Sequence, residues 1–281
     1  MSTAIVWFRQ DLRLADNPAL AEAVSQHQQV IPLYIHNHTD ADEWAHSGAS
    51  LWWLHHSLIA LKASLQSTGS DLLLHQGKVQ EVLEAIESKH KVNAIYWNRQ
   101  YEPWAINRDK QLKDYFSQKG LEVVSFNAAL INEPWTITTK TETPYRVFTP
   151  YWKNCLAAGI DRPLLDQPKK LPALPKGLTG KSIASFELLD QINWHAGFHD
   201  VWAPGEEGAH VALNEFLDGA VNDYDTGRDV PGTTGTSRLS AHLHFGEISP
   251  RQVVAAVRRE QTSEADAVSY THLTLPTICS V

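Results

Sequence analysis

Short apolar runs alternate with longer amphipathic stretches through the first half of the chain. AIVWF near residue 4, VIPLYI near 30, DLLLH near 71, AIYW near 94 and LEVVSF near 121 read as strands, with helical spacing between them. Five strands in this alternation predict an α/β fold: a five-stranded parallel, Rossmann-like sheet covered by helices on both faces. Asn17 followed by Pro18 predicts a helix start, because asparagine caps the free amides and proline suits the first helical position. From about Ala49 to Ser67, Leu51, Leu54, Leu58, Leu61 and Leu65 recur at helical spacing and predict a core-facing helix.

The pattern then changes. DRPLLDQPKKLPALPKGLTGK, from Asp161 to Lys181, carries Pro163, Pro168, Pro172 and Pro175 and predicts a stiff, extended connection that wraps a surface. After Pro204, Ala209, Leu213, Phe216, Leu217 and Ala220 form one helical stripe, with Glu206 and Glu207 at its positive amino end. The expected organisation is an α/β domain over 1–130, an interdomain linker over 131–204, and the first part of an all-α domain over 205–267. The ending AVSYTHLTLPTICSV does not continue the helical pattern. It resembles translated adapter sequence, so residues 268–281 are expected to be foreign to the fold.

Composition narrows the class. The 281 residues are 43% hydrophobic and 20% charged, without an apolar run long enough to span a bilayer. Arg9 and Asp11 interrupt any secretory leader, and Cys155 and Cys279 are the only cysteines, so a reducing cytoplasm is the expected setting, with no membrane partner and a monomeric state. A net charge of −8 argues against a generally basic nucleic-acid binder. Even so, Arg228, Arg238, Arg251, Arg258 and Arg259 all fall in the last quarter. They make either a local positive field or ordinary solvated surface.

The run GTTGTSRLSAHLHFGEISPR, from Gly232 to Arg251, is the strongest chemical signal. Thr236, Ser237 and Ser240 can donate short hydrogen bonds to phosphate oxygens, and Gly232 and Gly235 allow close backbone approach. The alternative is a glycine-rich connection that only caps a helix. No GxGxxG follows the first strand, which excludes the usual dinucleotide fingerprint there. Arg9, Asp11 and Arg13, at the carboxyl end of strand one, either meet a ligand or interlock as ion pairs that fix the loop. His36 with His38, and His242 with His244, have HxH spacing but no further ligand, so no metal site is expected. No Ser/His/Asp nucleophile motif stands out, consistent with a cofactor carrying the chemistry.

Four separated segments, IVWFRQDLRLADNPAL, YEPWAINRD, YRVFTPYW and the run from Trp202 through Ser240, occur in the order found in the DNA photolyase and cryptochrome family. From about Ile5 to about Arg259 the chain resembles that family, and within it the bacterial photolyases that repair cyclobutane pyrimidine dimers. The resemblance implies a light-driven lyase acting on damaged DNA by electron transfer from reduced flavin adenine dinucleotide (FAD). It places FAD binding at Tyr224, Thr236, Ser237, Arg238, Leu239 and Ser240, and a DNA contact at Arg228. It also implies that the chain stops within a helical FAD-binding domain, so the catalytic residues are unassigned and this fragment is expected to be inactive. The family's antenna pigment, folate or deazaflavin, stays undecided: Tyr101 and Glu102 are followed by Pro103, Trp104 and Ala105 rather than the Asn-Glu pair expected of folate-binding members, which counts against folate and leaves a deazaflavin, another pigment or no antenna open. A cryptochrome-type photoreceptor, and an α/β layer acting alone as a nucleotide-binding module, are the competing readings.

Overall fold

Each of the five predicted strands forms, and all pair in parallel. In the computed structural model they are β1 (Thr3–Phe8), β2 (Gln29–His36), β3 (Leu73–Gln76), β4 (Ala94–Asn98) and β5 (Glu122–Phe126), in the order β3-β2-β1-β4-β5. The structure describes residues 2–37, 40–41, 44–159 and 162–260. His38, Asp161 and the 268–281 tail lie outside the described residues.

Side-chain alternation along β1 builds two cores. Ala4, Val6 and Phe8 face one side, packed against α1 (Pro18–Gln26) and α2 (Ala49–Ser67), while Ile5 and Trp7 face the other, packed against α3 (Val79–His90) and α4 (Pro103–Gln118). Leu54, Leu58, Leu61 and Leu65 of α2 are buried as their spacing predicts. Each such leucine contributes roughly 1.5–3 kcal/mol on leaving water. Asn17 caps α1, its side-chain oxygen accepting from the Leu20 amide at 3.1 Å.

Beyond β5 the chain forms α5 (Phe148–Ala158) and then runs across the sheet layer. The Leu165 carbonyl accepts from the Asp16 amide, the Leu171 amide donates to Thr68, Ala173 bridges Gln29, and the Lys181 amide donates to Leu74. The proline-rich segment therefore lies along the β2–β3 side of the sheet. β3 has only four residues, so without this strap the first residues of β2 would present an unpaired margin.

After short 3-10 turns at Ile183–Phe186 and Phe198–Asp200, α-helix resumes with α6 (Glu206–Glu215), α7 (Tyr224–Gly227), α8 (Ser240–His244) and α9 (Pro250–Arg259). The apolar stripe is not one continuous α-helix: Phe216–Ala220 winds as a π-helical turn, which re-aims the chain toward Tyr224. Ser249 and Gln252 form a reciprocal capping box at the start of α9. No helix among the described residues is long and apolar enough to cross a membrane.

Candidate functional site

The loop after β1, residues 9–17, is closed on itself and on the helical region. The Arg9 amide donates to Asp11 Oδ1 at 2.6 Å, Asn98 donates to Asp11 Oδ2 at 2.6 Å, and the Arg9 guanidinium pairs with Asp109 while lying over the Trp7 ring. Burial pushes the Asp11 carboxyl above its ordinary range, and the Arg9 amide, the Arg9 charge and Asn98 pull it back. Arg13 is fully buried and donates to the carbonyls of Ala15, Gly246, Asp16 and Ala128 at 2.8–3.1 Å. Arg9, Asp11 and Arg13 thus interlock the loop, through backbone groups, Asn98 and the Arg9–Asp109 ion pair.

This loop also seats the helical region. Glu206, at the start of α6, accepts from the Leu14 and Ala15 amides at 2.8 and 3.0 Å, and the Leu12 amide donates to the Phe245 carbonyl. Asp16, with φ +48°, accepts from Ser249 Oγ at 2.6 Å and pairs with Arg162. Glu206 thus serves mainly as a partner for loop amides rather than as a charge on its own helix.

The hydroxyl-rich run lies between α7 and α8. Thr236, Arg238 and Ser240 are exposed, whereas Ser237 and Leu239 are buried. The Leu239 side chain belongs to an apolar cluster with Ala209, Leu213, Ile248 and Val257, and it pins the loop from below. Ser237 Oγ accepts from the Leu239 amide at 3.4 Å, a local turn bond. Arg238 takes φ +55° and lays its guanidinium 4.1 Å from the centre of the Trp202 ring. Gly235 has a different role from the expected one. A Cβ there would come within 2.3 Å of the Gly227 carbonyl oxygen, so its bare backbone serves packing against α7 instead of ligand approach. Gly232 faces open space.

Tyr224 is buried edge-on against Phe216, with ring centres 5.7 Å apart, and Arg228 has its guanidinium 5.8 Å from the Tyr224 ring. Arg251 departs from the surface role open to it in the sequence. It is fully buried and donates to the Ile131 carbonyl at 3.0 Å, so it belongs to packing and not to a surface field; Arg258 and Arg259 are exposed. Among the described residues no three His, Cys, Asp or Glu side chains converge as metal ligands. His242 instead bonds Glu247, a fully buried carboxylate that sequence reasoning passed over. Its only signal was a lone charge inside the apolar-flanked HFGEI.

As a donor set, the exposed hydroxyls of Thr236 and Ser240 with Arg238 suit a diphosphate, and the buried Leu239 anchors the run on the cluster of α6 and α9. The residues present therefore fit the phosphate end of a flavin dinucleotide.

The family profile for DNA photolyase matches residues 4–175. A deoxyribodipyrimidine photo-lyase from Agrobacterium fabrum is 41% identical over 255 residues, 90% of this chain and 53% of that protein. Cryptochrome-1 of Arabidopsis thaliana is 36% identical over 270 residues, 94% of this chain and 39% of that protein. The crystal structure of a bacterial class III photolyase from Agrobacterium tumefaciens shares the fold with a TM-score of 0.93 at 38% identity, covering 100% of this chain and 58% of that one. The chain spans about half the length of these photolyases, 53% and 58%. With the family profile matched over residues 4–175 and the fold shared over the whole chain with a class III photolyase, the chain belongs to the DNA photolyase family.

Proposed function

We propose that this chain supplies the sheet layer and the flavin-phosphate seat of a deoxyribodipyrimidine photolyase, an enzyme that splits cyclobutane pyrimidine dimers in DNA under blue light. The observation that carries the reading is the run Thr236–Ser240, anchored by buried Leu239 with Thr236, Arg238 and Ser240 exposed, in a chain 41% identical to a protein of that name. In this reading residues 1–130 would be the antenna-type layer, 131–204 the linker, and 205–267, of which the structure describes residues up to 260, the start of the helical FAD-binding domain. Thr236 and Ser240 would hold the diphosphate, Arg238 would balance its charge, buried Ser237 and Leu239 would shape the loop that cradles it, and Tyr224 would close off water. Reduced FAD, when bound, supplies the photoexcited electron donor.

Arg228 sits at the surface, where a guanidinium suits a DNA phosphate, and such contacts hold a duplex without reading its sequence. A dimer buried in the base stack lies too far from a cofactor seated in protein, so the lesion must leave the stack; a damaged pair opens more easily than an intact one. The second reading is a cryptochrome photoreceptor, favoured by the 36% identity to Cryptochrome-1.

The deciding experiment expresses the complete open reading frame and follows flavin absorbance and the loss of thymine dimers from irradiated oligonucleotide under blue light and in darkness. Light-dependent repair supports the photolyase. A flavin-loaded protein that leaves dimers intact supports the photoreceptor, and a colourless protein overturns both.

A further inference from the structure

Glu247 is fully buried, yet its carboxylate gathers hydrogen bonds from three separate elements. Oε1 accepts from the Trp53 indole at 3.1 Å, from Ser57 Oγ and from the Gly205 amide at 2.7 Å; Oε2 meets His242 Nδ1 at 2.5 Å. Trp53 and Ser57 belong to α2 of the sheet layer, Gly205 precedes α6, and His242 sits on α8. A carboxylate accepts only, so His242 donates through Nδ1.

Two routes lead from this carboxylate to the hydroxyl run. One is short and follows the backbone: His242 lies two residues beyond Ser240, on the helix that the run opens into. The other passes through rings. Trp53 packs edge-on against Trp202 with centres 5.5 Å apart, and Trp202 carries the Arg238 guanidinium on its face at 4.1 Å. His242 also meets the Trp53 ring edge-on at 5.0 Å, which closes the circuit.

We propose that Glu247 is the positioning residue of the Thr236–Ser240 run: it fixes α8 and Trp202 against α2, and so sets where the exposed hydroxyls and Arg238 stand relative to the sheet layer. The proposal rests on the reading of that run as a diphosphate seat. Glu247 itself never touches the anion. A buried carboxylate with four donors holds position more strictly than apolar contact would, because removing it leaves an indole, an amide and an imidazole without acceptors.

The test compares the protein expressed from the complete open reading frame with its E247Q and E247A variants and with the partner-side double variant W53F/S57A, which keeps the carboxylate. Three quantities are read: amide hydrogen exchange over 237–246, the Trp53 indole N–H resonance, and FAD affinity by equilibrium dialysis. In E247A, and more mildly in W53F/S57A, exchange over 237–246 rises about tenfold or more while β1 and β4 stay protected, and FAD binding weakens about tenfold. E247Q recovers part of both, since its amide oxygen can still accept from Trp53 and Gly205, and it shifts the indole resonance. Unchanged protection of 237–246 in E247A overturns the proposal, as does lost protection with unchanged FAD affinity. If E247A does not fold, the same two readouts on W53F/S57A decide the question. The seat itself is judged separately with T236A/S240A: FAD binding that is absent in the parent, or unaffected by that variant, sinks the diphosphate reading, while hydrogen exchange still decides whether Glu247 positions the run.

Discussion

Gly246 and Gln10 meet backbone to backbone: a Cβ on Gly246 would fall 2.1 Å from the Gln10 carbonyl oxygen, and Gly246 takes φ +65°. The turn after α8 and the loop after β1 are thus in contact at a point where no side chain fits. Gly246→Ala should lower stability by on the order of 3 kcal/mol, through both the clash and the left-handed backbone. Urea unfolding followed by tryptophan fluorescence reads this directly. A loss below about 0.5 kcal/mol, ordinary for a surface change, would show that the contact is not maintained.

Arg13 is the second joint. Its guanidinium serves four carbonyls from three parts of the chain, and burial lowers its affinity for the proton. Arg13→Met should destabilise the fold by about 3–5 kcal/mol because it leaves buried carbonyls unpaired. Arg13→Lys should not recover most of that loss, since an ammonium cannot reproduce the planar fork. Equal stability of the lysine variant and the parent would contradict this account.

Acid should weaken the fold through two histidines. Burial, aided by His244, pushes His46 down to about 4, and burial with His55, His199 and His195 does the same to His56. The unfolded chain takes up protons near the ordinary value of about 6.5, so the stabilisation from these neutral rings is complete above that pH and declines as pH falls toward 4. Asp11, whose carboxyl is raised, contributes with the opposite sign and favours the folded state at low pH. The informative quantity is therefore a difference: the urea midpoint of the parent minus that of H46Q/H56Q should shrink between pH 7 and pH 5. A difference that grows on acidification would reverse the assignment.

Arg228 should act on DNA without choosing sequence. In filter binding across a salt series, Arg228→Gln should reduce the slope of log affinity against log salt by about 0.9, equally for different duplex sequences. An unchanged slope would remove Arg228 from the DNA-facing surface.

Legibility in the sequence divides along contact range. The five strands, the Asn17 cap and the buried leucines of α2 rest on periodicity and local capping, which the chain states residue by residue. The roles of Arg13, Asp16, Glu206 and Glu247 depend, beyond near neighbours such as His242 for Glu247, on distant partners such as Gly205 for Glu247 and Ser249 for Asp16, 42 and 233 residues away, and no local pattern encodes those. Gly235 and Arg251 were legible as residue types but not as roles, because a glycine beside phosphate and a glycine beside Gly227 look alike in sequence. The π-turn at Phe216–Ala220 escaped because an apolar stripe has nearly the same spacing in both windings.

The proline-bearing strap has a consequence for handling the protein. Its residues between Leu171 and Lys181 occupy hydrogen-bonding positions that another polypeptide would otherwise claim beside β2 and β3. A protease nick or a shortened connector there would bare an adhesive margin, and molecules that remain well folded elsewhere would begin to join one another through their sheets.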